Sequence, residues 1–134
     1  MKKITIREKV TVGESRGSKL GFPTLNLEIK DLDIDDGVYV SEIELKSKSH
    51  RSVTFIGSPE TFGDKKRRIE THILNFNEDI YGEKVRVKLL EKIRENKKFD
   101  SEGKLINQIK KDIKVTNVFW DNRNKNADKK DCRK

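Results

Sequence analysis

The order of apolar and polar positions divides the chain into a long β-rich part and one late helix. From Ile4 to Val12 the pattern alternates: Ile4, Ile6, Val10 and Val12 fall on one side, and Lys3, Thr5, Arg7, Lys9 and Thr11 on the other. A period of two marks a half-buried strand. Residues 13–24 are rich in Gly and Ser and contain Pro23, which reads as a loop. Leu25, Leu27 and Ile29 then make a short strand. Asp35-Asp36-Gly37 is a turn signal. Val38, Val40, Ile43 and Leu45 follow, and the change of parity between Val40 and Ile43 predicts a β-bulge. Val53, Phe55 and Ile56 make another strand ending at Gly57. Ile69–Phe76 is a further one, with Glu70, His72, Leu74 and Phe76 on one face. After a turn over Asn77–Gly82, Val85, Val87 and Leu89 alternate with Lys84, Arg86 and Lys88 in a long strand that can run to Ile93.

The period then changes. Leu105, Ile106, Ile109 and Ile113 follow helical spacing. Asp100 or Ser101 can cap the helix start, and Glu102 suits the positive end of the helix dipole. The helix is predicted to fray between Ile113 and Trp120. Six short strands and one helix predict a mainly β fold, an antiparallel barrel closed at one side by a C-terminal helix. The order of the strands is not legible in the pattern.

Composition refines this picture. A chain of 134 residues favours one domain. It carries 31 Lys and Arg against 23 Asp and Glu, a formal net charge of +8. That excess suits an anionic partner such as nucleic acid, acidic lipid or a polyphosphate. Part of it is local: residues 121–134 hold six basic and three acidic residues, with one Ala and one Cys and nothing else to bury. Such a basic tail is predicted to be disordered, leaving residues 1–120 as the folded domain. Cys132 is the single cysteine, so no intramolecular disulfide is possible, in keeping with a reducing cytoplasm. No stretch is apolar enough for a membrane span, so no membrane partner is expected.

Four stretches carry candidate chemistry. Gly13 to Gly21 combines Gly13, Gly17 and Gly21 with Arg16 and Lys19. Glycines let backbone amides approach phosphate oxygens, and the cations add charge. The glycine spacing is wrong for a P-loop, and a plain Gly/Ser turn has the same composition. In Gly21-Phe22-Pro23-Thr24-Leu25-Asn26, Thr24 and Asn26 sit two apart and share a strand face. Two hard oxygen ligands there can hold Mg²⁺ beside phosphates; a hydrogen-bonded Thr/Asn pair explains the same spacing equally well. In Ile69–Leu74, Glu70 is a carboxylate on a partly apolar face, a candidate base unless a rim salt bridge occupies it. His72 beside it reads as a structural histidine. In Ile93–Ser101, Arg94 and Lys97 can meet an anion and Phe99 can pack on a planar ring, although a charged strand-to-helix turn looks the same.

In order and together, these motifs resemble the flavokinase (riboflavin kinase) family. The matching pieces are Gly13-x3-Gly17-x3-Gly21, Leu20 to Asn26, Gly37-Val38-Tyr39, Ile56-Gly57 ahead of Thr61-Phe62-Gly63, Glu70 to Ile73, Glu78 to Gly82, and Ile93 through Asp112. The resemblance implies a Greek-key barrel of six strands, with an ATP·Mg²⁺ site on one side and a flavin site beside the C-terminal helix. It implies that Gly13, Arg16, Gly17, Lys19, Thr24, Asn26, Ile73 and Tyr81 bind ATP. Thr24 and Asn26 would hold Mg²⁺, Glu70 would be the catalytic carboxylate, and Arg94, Lys97 and Phe99 would lie near the flavin. Riboflavin and FMN, ATP and ADP are then the partners of a cytoplasmic monomer.

Two departures stand out. Leu25 replaces the family's Ala between Thr24 and Asn26. Phe55 replaces the Asn of an Asn-Ile-Gly run, with Pro59 one place early. The His-x-Gly-His motif of fused adenylyltransferase domains is absent, since the histidines are His50 and His72; the expected product is FMN, not FAD. Two rival readings remain: a flavin- or nucleotide-binding module without turnover, and a basic barrel that binds nucleic acid. The second is weakened by an aromatic content of 7%, because single-strand binders stack bases on exposed rings.

Overall fold

The period-two positions become the two faces of a closed sheet. The computed structural model describes residues 4–11, 25–28, 34–57, 68–76, 82–96 and 99–131. They form β1 (Ile4–Thr11), β2 (Leu25–Glu28), β3 (Gly37–Leu45), β4 (Lys48–Gly57), β5 (Arg68–Ile73), β6 (Lys84–Arg94) and one helix, α1 (Glu102–Asp131). The strands close into a barrel in the order β1-β2-β5-β4-β3-β6, with every neighbouring pair antiparallel. β3, β4 and β5 run as a meander and β6 returns to lie beside β3, which is Greek-key topology. Inside sit Ile6, Leu27, Tyr39, Ile43, Leu45, Ile56, Ile69, Ile73, Val85, Val87 and Leu89. This is the mainly β barrel with a C-terminal helix that the alternation predicts.

Several expectations need correction. β3 contains no bulge: it pairs with β4 without interruption from Gly37↔Ile56 to Leu45↔Lys48. The register shifts lie against β6, between Val38 and Tyr39 and between Val40 and Ser41, so β6 carries the extra residues. Val38 and Val40 point outward yet are 2% and 0% exposed. α1 is tied to Arg51 of β4 and Arg94 of β6, the strands on either side of β3. β3 thus buries both faces, and its change of parity records a change of neighbour.

β4 begins earlier than expected, at Lys48, because Lys46 and Ser47 form a two-residue hairpin loop with φ of 50° and 68°. Left-handed backbone at both positions matches the strand twist, but it is usually signalled by Asn or Gly. β5 stops at Ile73 and not at Phe76, since Asn75 adopts φ 53° and turns the chain.

The helix start is as predicted: Ser101 Oγ accepts a hydrogen bond from the Lys104 amide at 3.2 Å. Its end is not. α1 runs past Trp120 to Asp131, so the stretch from Asp121 expected to be disordered is helical over its first eleven positions. Arg51 donates to Asn117 Oδ1 at 3.2 Å and Asp121 Oδ1 at 3.3 Å, and the Arg123 guanidinium lies 5.4 Å from the Trp120 ring centroid. These contacts hold the helix across the predicted fraying point, and extending a formed helix costs little per residue. Among the described residues, no helix is long and apolar enough to cross a membrane.

Candidate active site

One line of register partners crosses all six strands: Thr11, Asn26, Glu70, Phe55, Val38 and Arg94. Leu27, Ile69 and Ile56, the chain neighbours of Asn26, Glu70 and Phe55, are core residues. Alternation therefore turns these three outward. Asn26 and Glu70 are both half-buried and directly opposite each other across the β2–β5 ladder. Side chains so placed have Cβ atoms about 4.5–5.5 Å apart. The line thus sets a carboxylate between a carboxamide on one side and an aromatic ring on the other, with α1 closing its far end.

Phe55 is held in its corner by what its neighbours lack. A side-chain carbon on Gly57 would come 3.1 Å from Phe55 Cζ and 2.5 Å from Asn96 Nδ2. The bare glycine leaves room for the ring and for Asn96, which donates to the Ile56 carbonyl at 3.1 Å. Nearby, Glu95 accepts from Lys92 at 2.7 Å and holds that ammonium above the usual lysine range.

Arg94 is already committed. Its Nε and Nη2 donate to Asp112 Oδ1 and Oδ2 at 2.9 and 2.8 Å, and its Nη1 to the Glu95 carbonyl at 3.0 Å. Gln108 Nε2 adds a further bond to Asp112 Oδ1 at 2.9 Å. The Arg94 charge is matched by Asp112, and the pair fastens α1 to β6 at the place where the resemblance puts the flavin. Asp112 is the partner that the sequence reading placed in a motif without a role. Its signal was a carboxylate on the inward side of the helix, four residues after Gln108.

The Ile73 side chain is 3% exposed and belongs to the core. His72 faces outward two residues from Glu70 and opposite Val53. Phe99 is half-buried at the approach to α1. Gly13, Arg16, Gly17, Lys19, Thr24, Tyr81 and Lys97 lie outside the described residues. The structure therefore brings together Asn26, Glu70 and Phe55.

Two side chains of that trio carry oxygen. Among the described residues no group of three or more His, Cys, Asp or Glu could hold an ion. The Asn26 carboxamide oxygen and the Glu70 carboxylate are hard oxygen donors on one face. A cation that takes few protein ligands and completes its shell with phosphate oxygens and water, as Mg²⁺ does, suits such a surface. A separate groove lined by Thr5, Arg7, Glu42, Glu44, Arg86 and Lys88 lies elsewhere on the outer wall. Its charges offset one another, with Arg86 3.9 Å from Glu44.

Comparison with known proteins places this geometry. Residues 1–120 match the family model described as "Flavokinase: Riboflavin kinase". The riboflavin kinase of Homo sapiens is 38% identical over 115 residues, covering 80% of this chain and 74% of the human protein. A structure described as a macrolide-efflux protein from Streptococcus pneumoniae superposes with a TM-score of 0.76 at 40% identity, over 84% of this chain and 38% of its own. The riboflavin kinase from Trypanosoma brucei shares the fold, with a TM-score of 0.63 at 24% identity over 89% of this chain and 80% of its own. The chain spans between 18% and 46% of the length of the first curated relatives it matches, some of which carry two or three activities. A family model matched without a break over residues 1–120, together with a relative of 38% identity matched over most of its length, shows that this chain belongs to the riboflavin kinase family.

Proposed function

We propose that this chain is itself a riboflavin kinase, transferring the γ-phosphoryl group of ATP to the 5′-hydroxyl of riboflavin to give FMN and ADP. The observation that carries the reading is the outward Glu70 set directly between Asn26 and Phe55. Family membership supplies the two substrates. The acceptor is a primary alcohol, a weak nucleophile until its proton has somewhere to go. Glu70 orients that hydroxyl and accepts its proton as the new O–P bond forms. The bond from the γ-phosphorus to the bridging oxygen breaks, and ADP leaves with those electrons.

Thr24 and Asn26 would hold Mg²⁺, which when bound balances charge on the phosphates. Gly13, Arg16, Gly17 and Lys19 would line the phosphate side and Tyr81 the nucleotide, with Ile73 contributing backbone only. Phe55 extends an apolar surface from Glu70 toward α1, and Phe99 and Lys97 would complete a flavin pocket there. Phosphoryl transfer needs little covalent help, so alignment of the hydroxyl with the phosphorus is the main contribution. The chain is further proposed to act as a cytoplasmic monomer.

A second reading is favoured by one observation. The residue next to Glu70 in the row is Phe55, where the family pattern has Asn. A chain that binds flavin but does not turn it over would fit that change. Incubation with riboflavin, ATP and Mg²⁺, followed by chromatographic separation of the fluorescent flavins, decides between them. FMN from the wild type and none from Glu70→Ala supports the kinase. Flavin retention by folded protein with no FMN, under any nucleotide or divalent metal tried, supports the binding module.

A further inference from the structure

The barrel interior is not wholly apolar. Ser41 of β3, Ser52 and Thr54 of β4, and Thr71 of β5 are each 0% exposed. Their hydroxyls form one continuous chain: Ser52 Oγ to Ser41 Oγ at 2.7 Å, Ser41 Oγ to Thr54 Oγ1 at 2.7 Å, and Thr54 Oγ1 to Thr71 Oγ1 at 2.9 Å. Two of these links join direct cross-strand partners, Ser41↔Ser52 and Thr54↔Thr71, and the third is the diagonal between them. None of the four oxygens is left without a partner.

Four hydroxyls in a sealed interior need a reason, since apolar side chains would fill the same space without any polar group to satisfy. What the chain supplies is register. A slip of one residue would turn the hydroxyls out of the barrel. The direct pairs Ser41↔Ser52 and Thr54↔Thr71 hold only in the observed register. Hydrogen bonds of this kind also polarise one another, so the set resists loss of any one member.

The end of the chain lies beside the chemistry. Thr71 is the inward peg of β5, and the next residue, Glu70, is its outward carboxylate. The same strand pairs Thr71 with Leu25 and Glu70 with Asn26. Whatever sets the height of Thr71 against Thr54 therefore sets the height of Glu70 against Phe55.

We infer that Thr71, through the buried hydroxyl chain to Thr54, Ser41 and Ser52, is a positioning residue that holds the Glu70 carboxylate in line for proton transfer. This rests on the kinase reading above. Small misplacements of a catalytic group cost rate steeply, about a hundredfold for 1 Å. They cost ground-state binding much less, because Thr71 touches neither substrate.

The test uses steady-state kinetics of the full chain in four forms: wild type, Thr71→Val, Thr71→Ser and Glu70→Gln. Thr71→Val should lower kcat about tenfold, a partial misplacement on that scale, with KM for riboflavin and for ATP unchanged. Thr71→Ser, which restores the hydroxyl, should recover most of the rate. Wild-type kcat in Thr71→Val overturns the inference, and so does a loss that Thr71→Ser fails to recover or that appears in KM instead. If Thr71→Val does not fold, Ser41→Ala interrupts the same chain two links away and must show the same split. Activity that is lost in Glu70→Gln but intact in Thr71→Val removes the positioning role alone. A folded wild type that forms no FMN removes the kinase reading and this inference with it.

Discussion

The Arg94 guanidinium grips the Asp112 carboxylate through two hydrogen bonds of 2.9 and 2.8 Å, with the two side chains 16% and 7% exposed. This pair fastens β6 to α1. Removing one partner of a buried pair strands the other charge, which costs about 3–5 kcal/mol. Asp112→Ala should therefore lower unfolding stability by that amount in urea titration. Replacing both partners by apolar residues of similar volume should cost much less.

Glu70→Gln keeps the shape of the side chain and removes its ability to accept a proton. Turnover should fall by roughly 10² or more, the usual size of a general-base effect. Binding of riboflavin, followed by quenching of flavin fluorescence, should be retained. Near-wild-type turnover would take Glu70 out of its role.

Phe55 supplies apolar surface on the far side of Glu70 from Asn26. Phe55→Ala should raise KM for riboflavin while leaving kcat within about twofold, since it removes binding common to ground and transition states. Gly57→Ala should act in the same direction by a different route. Its new carbon would meet Asn96 Nδ2 at 2.5 Å and the Phe55 ring at 3.1 Å. Asn96 would give up its bond to the Ile56 carbonyl, at a cost of about 1–3 kcal/mol in the same unfolding titration.

The two parts of α1 should tolerate truncation differently. A chain ending at Asn124 keeps Asn117, Asp121, Trp120 and Arg123, and should match the full chain within about 0.5 kcal/mol. One ending at Thr116 loses both helix partners of Arg51 along with Trp120. It should melt clearly lower in a calorimetric scan.

Much of the barrel was legible because inward and outward residues alternate cleanly along Thr5–Arg7 and Lys84–Leu89, so burial on one face dictates the sequence. The pattern misled where that condition failed. Val38 and Val40 are outward and still buried, which a rule of one apolar face reads as a bulge. Lys46-Ser47 turns a hairpin with backbone angles that neither residue advertises. The helix end was misjudged because its anchors, Arg51 and Arg94, are far from it in the chain.

Local choices are written in the chain: which segments are strands, where the helix is capped, and which residues carry oxygen, charge or ring. The chain also carries its family, because motif order and spacing are linear properties. Strand order came from the closed barrel, and with it the placing of Asn26, Glu70 and Phe55 side by side and the pairing of Arg94 with Asp112. The barrel alone decided that four scattered hydroxyls join inside it. The physical reason is range: side-chain alternation and capping act within a few residues, whereas a cross-strand pair joins positions tens of residues apart and exists only once the barrel closes.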